Sequence, residues 1–250
     1  MPRFIAFAGG FLLTLGVLCA QLQFEVASIR PADIEGHPTD SLYTDHSAGL
    51  HVVNFPLRAI ILYAYDIRDF QLLNGPGWID TQRYDITAKT GTVAGDSDEQ
   101  AQDRALRERT RRLLTDRFGL VVHHETRDLT AYALTVAKGG PKVKLVTERG
   151  TQYGFRGGRG RNQGYAVTMN MFANELARVI GRPVIDKTGL AGEYDYLLEW
   201  APDDAGTLGA SALGVTIFTA LQEQLGLRLE STKAPVDTVV IDRVERATSN

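Results

Sequence analysis

Ile217-Phe218-Thr219-Ala220-Leu221-Gln222-Glu223-Gln224-Leu225-Gly226-Leu227-Arg228-Leu229-Glu230-Ser231 is the stretch whose reading decides the fold. Ile217, Phe218, Leu221 and Leu225 recur at helical spacing and make one apolar stripe. Gly226 follows at once, the residue type that most easily ends a helix in a left-handed conformation. Leu227 to Ser231 then alternates apolar and polar, the period of a half-buried strand. Lys233-Ala234-Pro235 reads as a turn, and Val236 to Val244 as a second strand. The unit is therefore helix, glycine, strand, turn, strand.

The same order recurs upstream. Pro56 to Tyr65 predicts a helix capped by Asn54, with strands at Phe70 to Leu73 and Tyr84 to Lys89 around a turn at Asn74-Gly75-Pro76-Gly77. Asp98 to Phe118 predicts a longer helix stopped by Gly119, with strands Leu120 to Glu125 and Thr130 to Ala137 about a turn at Thr126-Arg127-Asp128. The third helix starts at Asn170, carries Met171, Phe172, Leu176, Val179 and Ile180, and stops at Gly181. Its strands are Pro183 to Asp186 and Glu193 to Trp200. Ahead of all four lie a strand at Phe24 to Ile29, a polar loop over 31–49 and a strand at Leu50 to Phe55.

One hairpin with one helix cannot close a core, so such units must pool their sheets. The expected class is α+β, with antiparallel sheets, helices packed on one face and two similar halves. The expected boundaries are a leader at 1–20, halves at 22–147 and 165–250, and a Gly/Arg-rich loop or linker at 148–164. Leu113, Leu114, Phe118, Leu176, Ile180, Phe218, Leu221 and Leu225 are the expected core.

The chain has 250 residues, 44% hydrophobic and 23% charged, with a formal net charge of −3. These values exclude a wholly disordered chain and a polytopic membrane protein. A weakly acidic chain also lacks the footprint of a general nucleic-acid binder. Arg3 followed by the uncharged run Phe4 to Ala20 is the signature of a secretory signal peptide. The expected address is the periplasm or the exterior, with no stable membrane insertion once the leader is removed. Cys19 is the single cysteine and lies in that leader, so no internal disulfide staples the mature chain.

Several segments also resemble a family. They are Phe24-Glu25-Val26-Ala27-Ser28-Ile29-Arg30-Pro31, Gly75-Pro76-Gly77-Trp78-Ile79-Asp80, Leu113-Leu114-Thr115-Asp116-Arg117-Phe118, Ala137-Lys138-Gly139-Gly140-Pro141, Gly181-Arg182-Pro183-Val184-Ile185-Asp186 and Phe218 to Leu227. In this order they resemble the large family of exported bacterial "soil-associated" proteins that carry a domain of unknown function. The resemblance implies export and supplies no catalytic residues. Related domains joined to sensor-type membrane metallopeptidases imply a link to sensing. At the level of one unit, helix, glycine, strand, strand is similar to the short N-terminal domains of secretins and TonB-dependent receptors, which are interaction modules.

Motifs for chemistry are sparse. His123-His124-Glu125 is the one histidine cluster, but neighbours on a strand face opposite ways. No metal site and no cofactor are expected. Asp85, Asp186, Glu193, Asp195 and Glu199 are acidic residues near apolar ones, read most simply as the wet side of strands. Ser211, in Gly209-Ala210-Ser211-Ala212-Leu213, lacks the closing glycine of a nucleophile elbow. Arg149, Arg156, Arg159 and Arg161 lie among glycines and the aromatics Tyr153, Phe155 and Tyr165. An exposed cationic stretch on an anionic protein attracts negative partners. Trp78 and Trp200 are candidate stacking platforms. The expected function is an exported, non-enzymatic binding or interaction module, with an envelope protein or an anionic ligand as partner. The rival is a secreted hydrolase of unfamiliar type using carboxylates or His123 and His124.

Overall fold

The computed structural model describes residues 23–32, 41–45, 49–90, 98–148, 150–201 and 214–247. The leader, Arg149 and Ser211 lie outside them. Of the described residues, those up to Glu125 and from Thr238 onward form one compact unit, and Thr126–Asp237 form a second.

In the first unit, β1 (Val26–Pro31), β2 (Ser41–Asp45), β3 (Gly49–Pro56) and β5 (Arg83–Lys89) make an antiparallel sheet in the order β1-β5-β3-β2. Helices α1 (Leu57–Tyr65) and α3 (Glu99–Phe118) share a core with this sheet. Ile60 and Ile61 of α1, Leu114 and Phe118 of α3, and Val52 and Ile86 of the sheet are all buried there. The Tyr84 and Phe118 rings meet edge to face at 5.0 Å. Asp98 caps α3 by accepting the Gln100 N–H at 3.0 Å, and Gly119 ends it at φ 56°. Arg107, one of several arginines on α3, turns inward. It donates to Asp103 and to the Tyr63 carbonyl, and its guanidinium lies 5.1 Å from the Tyr63 ring. A single turn, α2 (Trp78–Thr81), follows β4 (Leu72–Leu73).

In the second unit, β7 (Lys144–Leu145), β8 (Gly154–Gly158), β9 (Arg161–Val167) and β11 (Tyr194–Glu199) form an antiparallel sheet in the order β7-β11-β9-β8. Helices α4 (Met169–Ile180) and α5 (Ile217–Leu225) supply buried Phe172, Leu176, Leu221 and Leu225. The α+β class is therefore as expected, and so are the glycine stops: Gly181 and Gly226 sit at φ 69° and 64°. The α4 cap is Thr168 rather than Asn170, and the first helix follows Pro56 without a side-chain cap from Asn54.

Three expectations are corrected. First, the turns at 126–128 and 233–235 do not form. β6 (Val121–Val136) and β12 (Leu227–Arg243) run straight through them. Neither segment holds a residue of positive φ, and Thr126 and Thr130 suit an extended chain. The division into units falls on these two strands, at 125/126 and 237/238. Short strands pair with them in parallel: β10 (Val184–Asp186) beside Tyr132, Ala133 and Leu134 of β6, and β4 beside Val239 and Val240 of β12. Second, within the stretch 148–164 expected as loop or linker, residues 154–158 and 161–164 belong to the β8–β9 hairpin, which turns at Arg159-Gly160. Its glycines serve the hairpin: Gly160 takes φ 77°, and a Cβ on Gly157 would lie 2.3 Å from the Arg161 carbonyl oxygen. Third, two of the expected core residues are not fully buried. Phe218 is 41% exposed and Ile180 is half-buried.

The two antiparallel sheets share more than their strand order. β3 shifts register against β5 between Val52 and Phe55, where Asn54 takes φ 56° and donates its N–H to Asp85 Oδ1 at 2.9 Å. β9 and β11 shift register between Tyr194 and Tyr196. There Ala166 takes φ 48° and donates its N–H to Asp195 Oδ1 at 2.8 Å. In each sheet a carboxylate holds a strained left-handed residue just before a helix begins.

Candidate functional site

The arginines of the hairpin meet different partners. Residues two apart on a strand, and residues paired across strands, share a face, so Arg156 and Arg161 stand on one side of the hairpin. Arg156 stands opposite Gln163, and its guanidinium lies 5.7 Å from the Tyr165 ring. Arg161 is 3.6 Å from Glu199 and donates to Gln163 at 3.4 Å. Arg159 occupies the turn and lines a cleft.

That cleft has a volume of ≈ 650 Å³ and lies within the second unit. The β8–β9 turn forms one side, through Gly157, Gly158, Arg159 and Gly160. The end of α4 brings Arg178, Val179 and Ile180, and the start of α5 brings Thr216, Ile217 and Phe218. Trp200, only 8% exposed, completes the lining. Its backbone N–H donates to the Gly160 carbonyl at 2.9 Å, tying the end of β11 to the hairpin turn. Phe218 is steadied from behind by the Tyr132 ring at 5.4 Å, edge to face.

Arg178 reaches the cleft on a chain of buried polar groups. The Tyr196 hydroxyl donates to Asn162 Oδ1, and Asn162 Nδ2 donates to Glu175 Oε1 at 2.9 Å. Glu175 then accepts from Arg178 Nε at 3.0 Å and Nη2 at 2.6 Å. The Glu175 side chain is 13% exposed and the Arg178 side chain 54%. The bond to Glu175 holds the guanidinium above its ordinary pKa, with burial working the other way, so it stays charged. Two of its five N–H donors serve Glu175, which leaves others for a ligand. Burial, with Glu175 adding to it, pushes the Tyr196 phenol up, so it remains a neutral donor. The result, among the described residues, is an amphipathic cleft with aromatic and aliphatic walls and two guanidinium groups, one of them paired with Glu175.

The remaining sequence candidates lie elsewhere. Trp78 packs half-buried against the core of the first unit, with the Arg246 guanidinium 5.2 Å from its ring. His123 Nδ1 meets both oxygens of Asp242, at 2.9 and 3.0 Å, but the pair is exposed, at 50% and 43%. His124 instead approaches the Tyr65 ring at 6.3 Å. Asp85 and Asp195 are taken up by the two register shifts, and Asp186 accepts from the Thr188 N–H and hydroxyl. Among the described residues no group of three or more His, Cys, Asp or Glu could hold a metal ion. Arg178, Ile180 and Phe218 were missed as site residues. The available signal was their position: two close a helix at Gly181 and one opens a helix, where an apolar stripe outruns the core it covers.

No curated protein and no solved structure matches the chain. A family model does, over residues 58–244, which takes in most of both units and the whole cleft. The chain belongs to the family described as Protein of unknown function (DUF3738).

Proposed function

We propose that the chain is an exported, non-enzymatic binding module, and that the cleft of its second unit takes a ligand with an apolar body and an anionic group. The observation that carries this reading is the lining itself. Trp200, Phe218, Ile180 and Val179 offer apolar contact beside Arg159 and beside Arg178, whose pairing with Glu175 leaves further N–H donors for an anionic group. Binding sites of this size combine apolar walls with a few placed polar groups. Arginine presents a planar fork that matches a carboxylate or phosphate. Export rests on Arg3 and the uncharged run Phe4 to Ala20, which place the ligand in the cell envelope or outside it.

The test is a fragment screen. The chain has two tryptophans, so Trp78→Phe leaves Trp200 as the only one and its emission reports on the cleft. A matched set of aromatic fragments carrying a carboxylate, a neutral amide or an ammonium group is titrated against this variant. Carboxylates should dominate the saturable responses, and Arg159→Gln should remove their advantage. Equal hit rates across the three charge classes would rule the reading out. For export, the protein recovered from its native host should begin near Gln21; intact Met1 on protein from the cytosol would contradict that part.

A further inference from the structure

Strand β8 lies at the end of its sheet, and no other described strand pairs with its outer side. Its sequence, Gly154-Phe155-Arg156-Gly157-Gly158, has few side chains to shield the backbone. A Cβ built on Gly154 or Gly158 would meet nothing within 4 Å. Proteins usually protect such edges with short length, bulges or charge, because an open edge is a template for another strand. Here the one charge is Arg156, and the far end of the strand opens directly into the cleft at Gly157 and Gly158.

We infer that β8 is a docking edge for an extended acidic peptide of a partner protein. The peptide adds as a further strand along Gly154–Gly158. Backbone N–H and C=O groups of the edge supply its hydrogen bonds, as in other strand-addition complexes. Acidic side chains on the peptide face Arg156 and Arg159, and an apolar residue at its end enters the cleft against Trp200 and Phe218. Charge selects this occupant. A second copy of the chain pairing edge to edge would bring two Arg156 side chains together, and like charges across a pair of strands repel. Tyr153, 61% exposed at the start of β8, lengthens the contact surface. The inference rests on the cleft reading above and names its partner class.

The full chain is panned against a library of random peptides about ten residues long, enough for one strand. Enriched peptides should be acidic with apolar residues alternating. The best of them should slow amide exchange at Gly154–Gly158. Methylating alternate backbone nitrogens of that peptide should weaken it about tenfold or more, because one or two edge hydrogen bonds are lost. Gly158→Val, where φ is ordinary and space is open, should leave the fold intact and block the peptide. Failure of any peptide to enrich, protection away from β8, or equal binding of the methylated form overturns the proposal. So does protection that appears with protein concentration alone, which would give the edge to a second copy. If carboxylate fragments still bind the cleft in any of these cases, the binding reading stands and only the docking edge falls.

Discussion

Phe218 and Leu221 sit three residues apart on α5, and the structure assigns them opposite jobs. Leu221 is fully buried, so Leu221→Ala should destabilise the second unit by about 2–5 kcal/mol. Complete burial of a phenylalanine contributes roughly 1.5–3 kcal/mol. Phe218 keeps 41% of its surface in solvent, so about three-fifths of that applies. Phe218→Ala should therefore cost about 1–2 kcal/mol, with the lost Tyr132 edge contact moving it toward the upper end. Urea unfolding followed by Trp200 emission in the Trp78→Phe background reads this unit directly. Fragment affinity supplies the second readout. Phe218→Ala should weaken carboxylate fragments clearly, and folded Leu221→Ala should leave them unchanged. If Phe218→Ala costs more than Leu221→Ala, or leaves fragment affinity alone, Phe218 is a core residue and the cleft wall has been misassigned.

Other outcomes follow from single contacts. Gly226→Ala should be severely destabilising, because its Cβ would lie 2.0 Å from the Gly140 carbonyl oxygen at φ 64°; a thermal midpoint near wild type would contradict this. Asn162→Leu leaves the Tyr196 hydroxyl and Glu175 without their buried partner, so it should cost about 1–3 kcal/mol and also loosen Arg178, weakening the fragments. Tyr63 is pushed from 10.0 up to about 12, by burial first and Asp103 second, with Arg107 opposing. Its raised value favours the neutral phenol in the folded state, so that contribution is whole below pH 10.0 and is lost as pH climbs through about 12. The Tyr63 hydroxyl has no hydrogen-bond partner among the described residues, so Tyr63→Phe should be at least as stable at neutral pH and lose less between those values. Circular dichroism across alkaline pH checks it.

Local signals were legible wherever one residue type decides a local conformation. Gly119, Gly181 and Gly226 end their helices in the left-handed region, whereas the caps expected at Asn54 and Asn170 are not the ones found. Signals that depend on distant partners were not. Thr126-Arg127-Asp128 and Lys233-Ala234-Pro235 look like turns because polar residues and proline interrupt two apolar runs. The strands nevertheless continue through both stretches, and their short partners lie further along: β10 beside Tyr132 to Leu134 and β4 beside Val239 and Val240. The arginine stretch was found, but not what each arginine meets: Arg156 the Tyr165 ring, Arg161 the side chains of Gln163 and Glu199, and Arg159 the cleft. Asp85 and Asp195 resembled candidate acids, and only the folded backbone shows each of them holding an N–H at a register shift. The cleft was half legible. Arg159 and Trp200 stood out by type, while Ile180 and Phe218 looked like core because an apolar stripe does not say which of its ends is left uncovered.

The most direct test of the central claim is a crystal structure of the protein soaked with its best carboxylate fragment. The account predicts the ring against Trp200 and Phe218, with the carboxylate within hydrogen-bond reach of Arg159 or Arg178. Density for the fragment outside this cleft, or inside it with the carboxylate turned away from both arginines, would contradict the account.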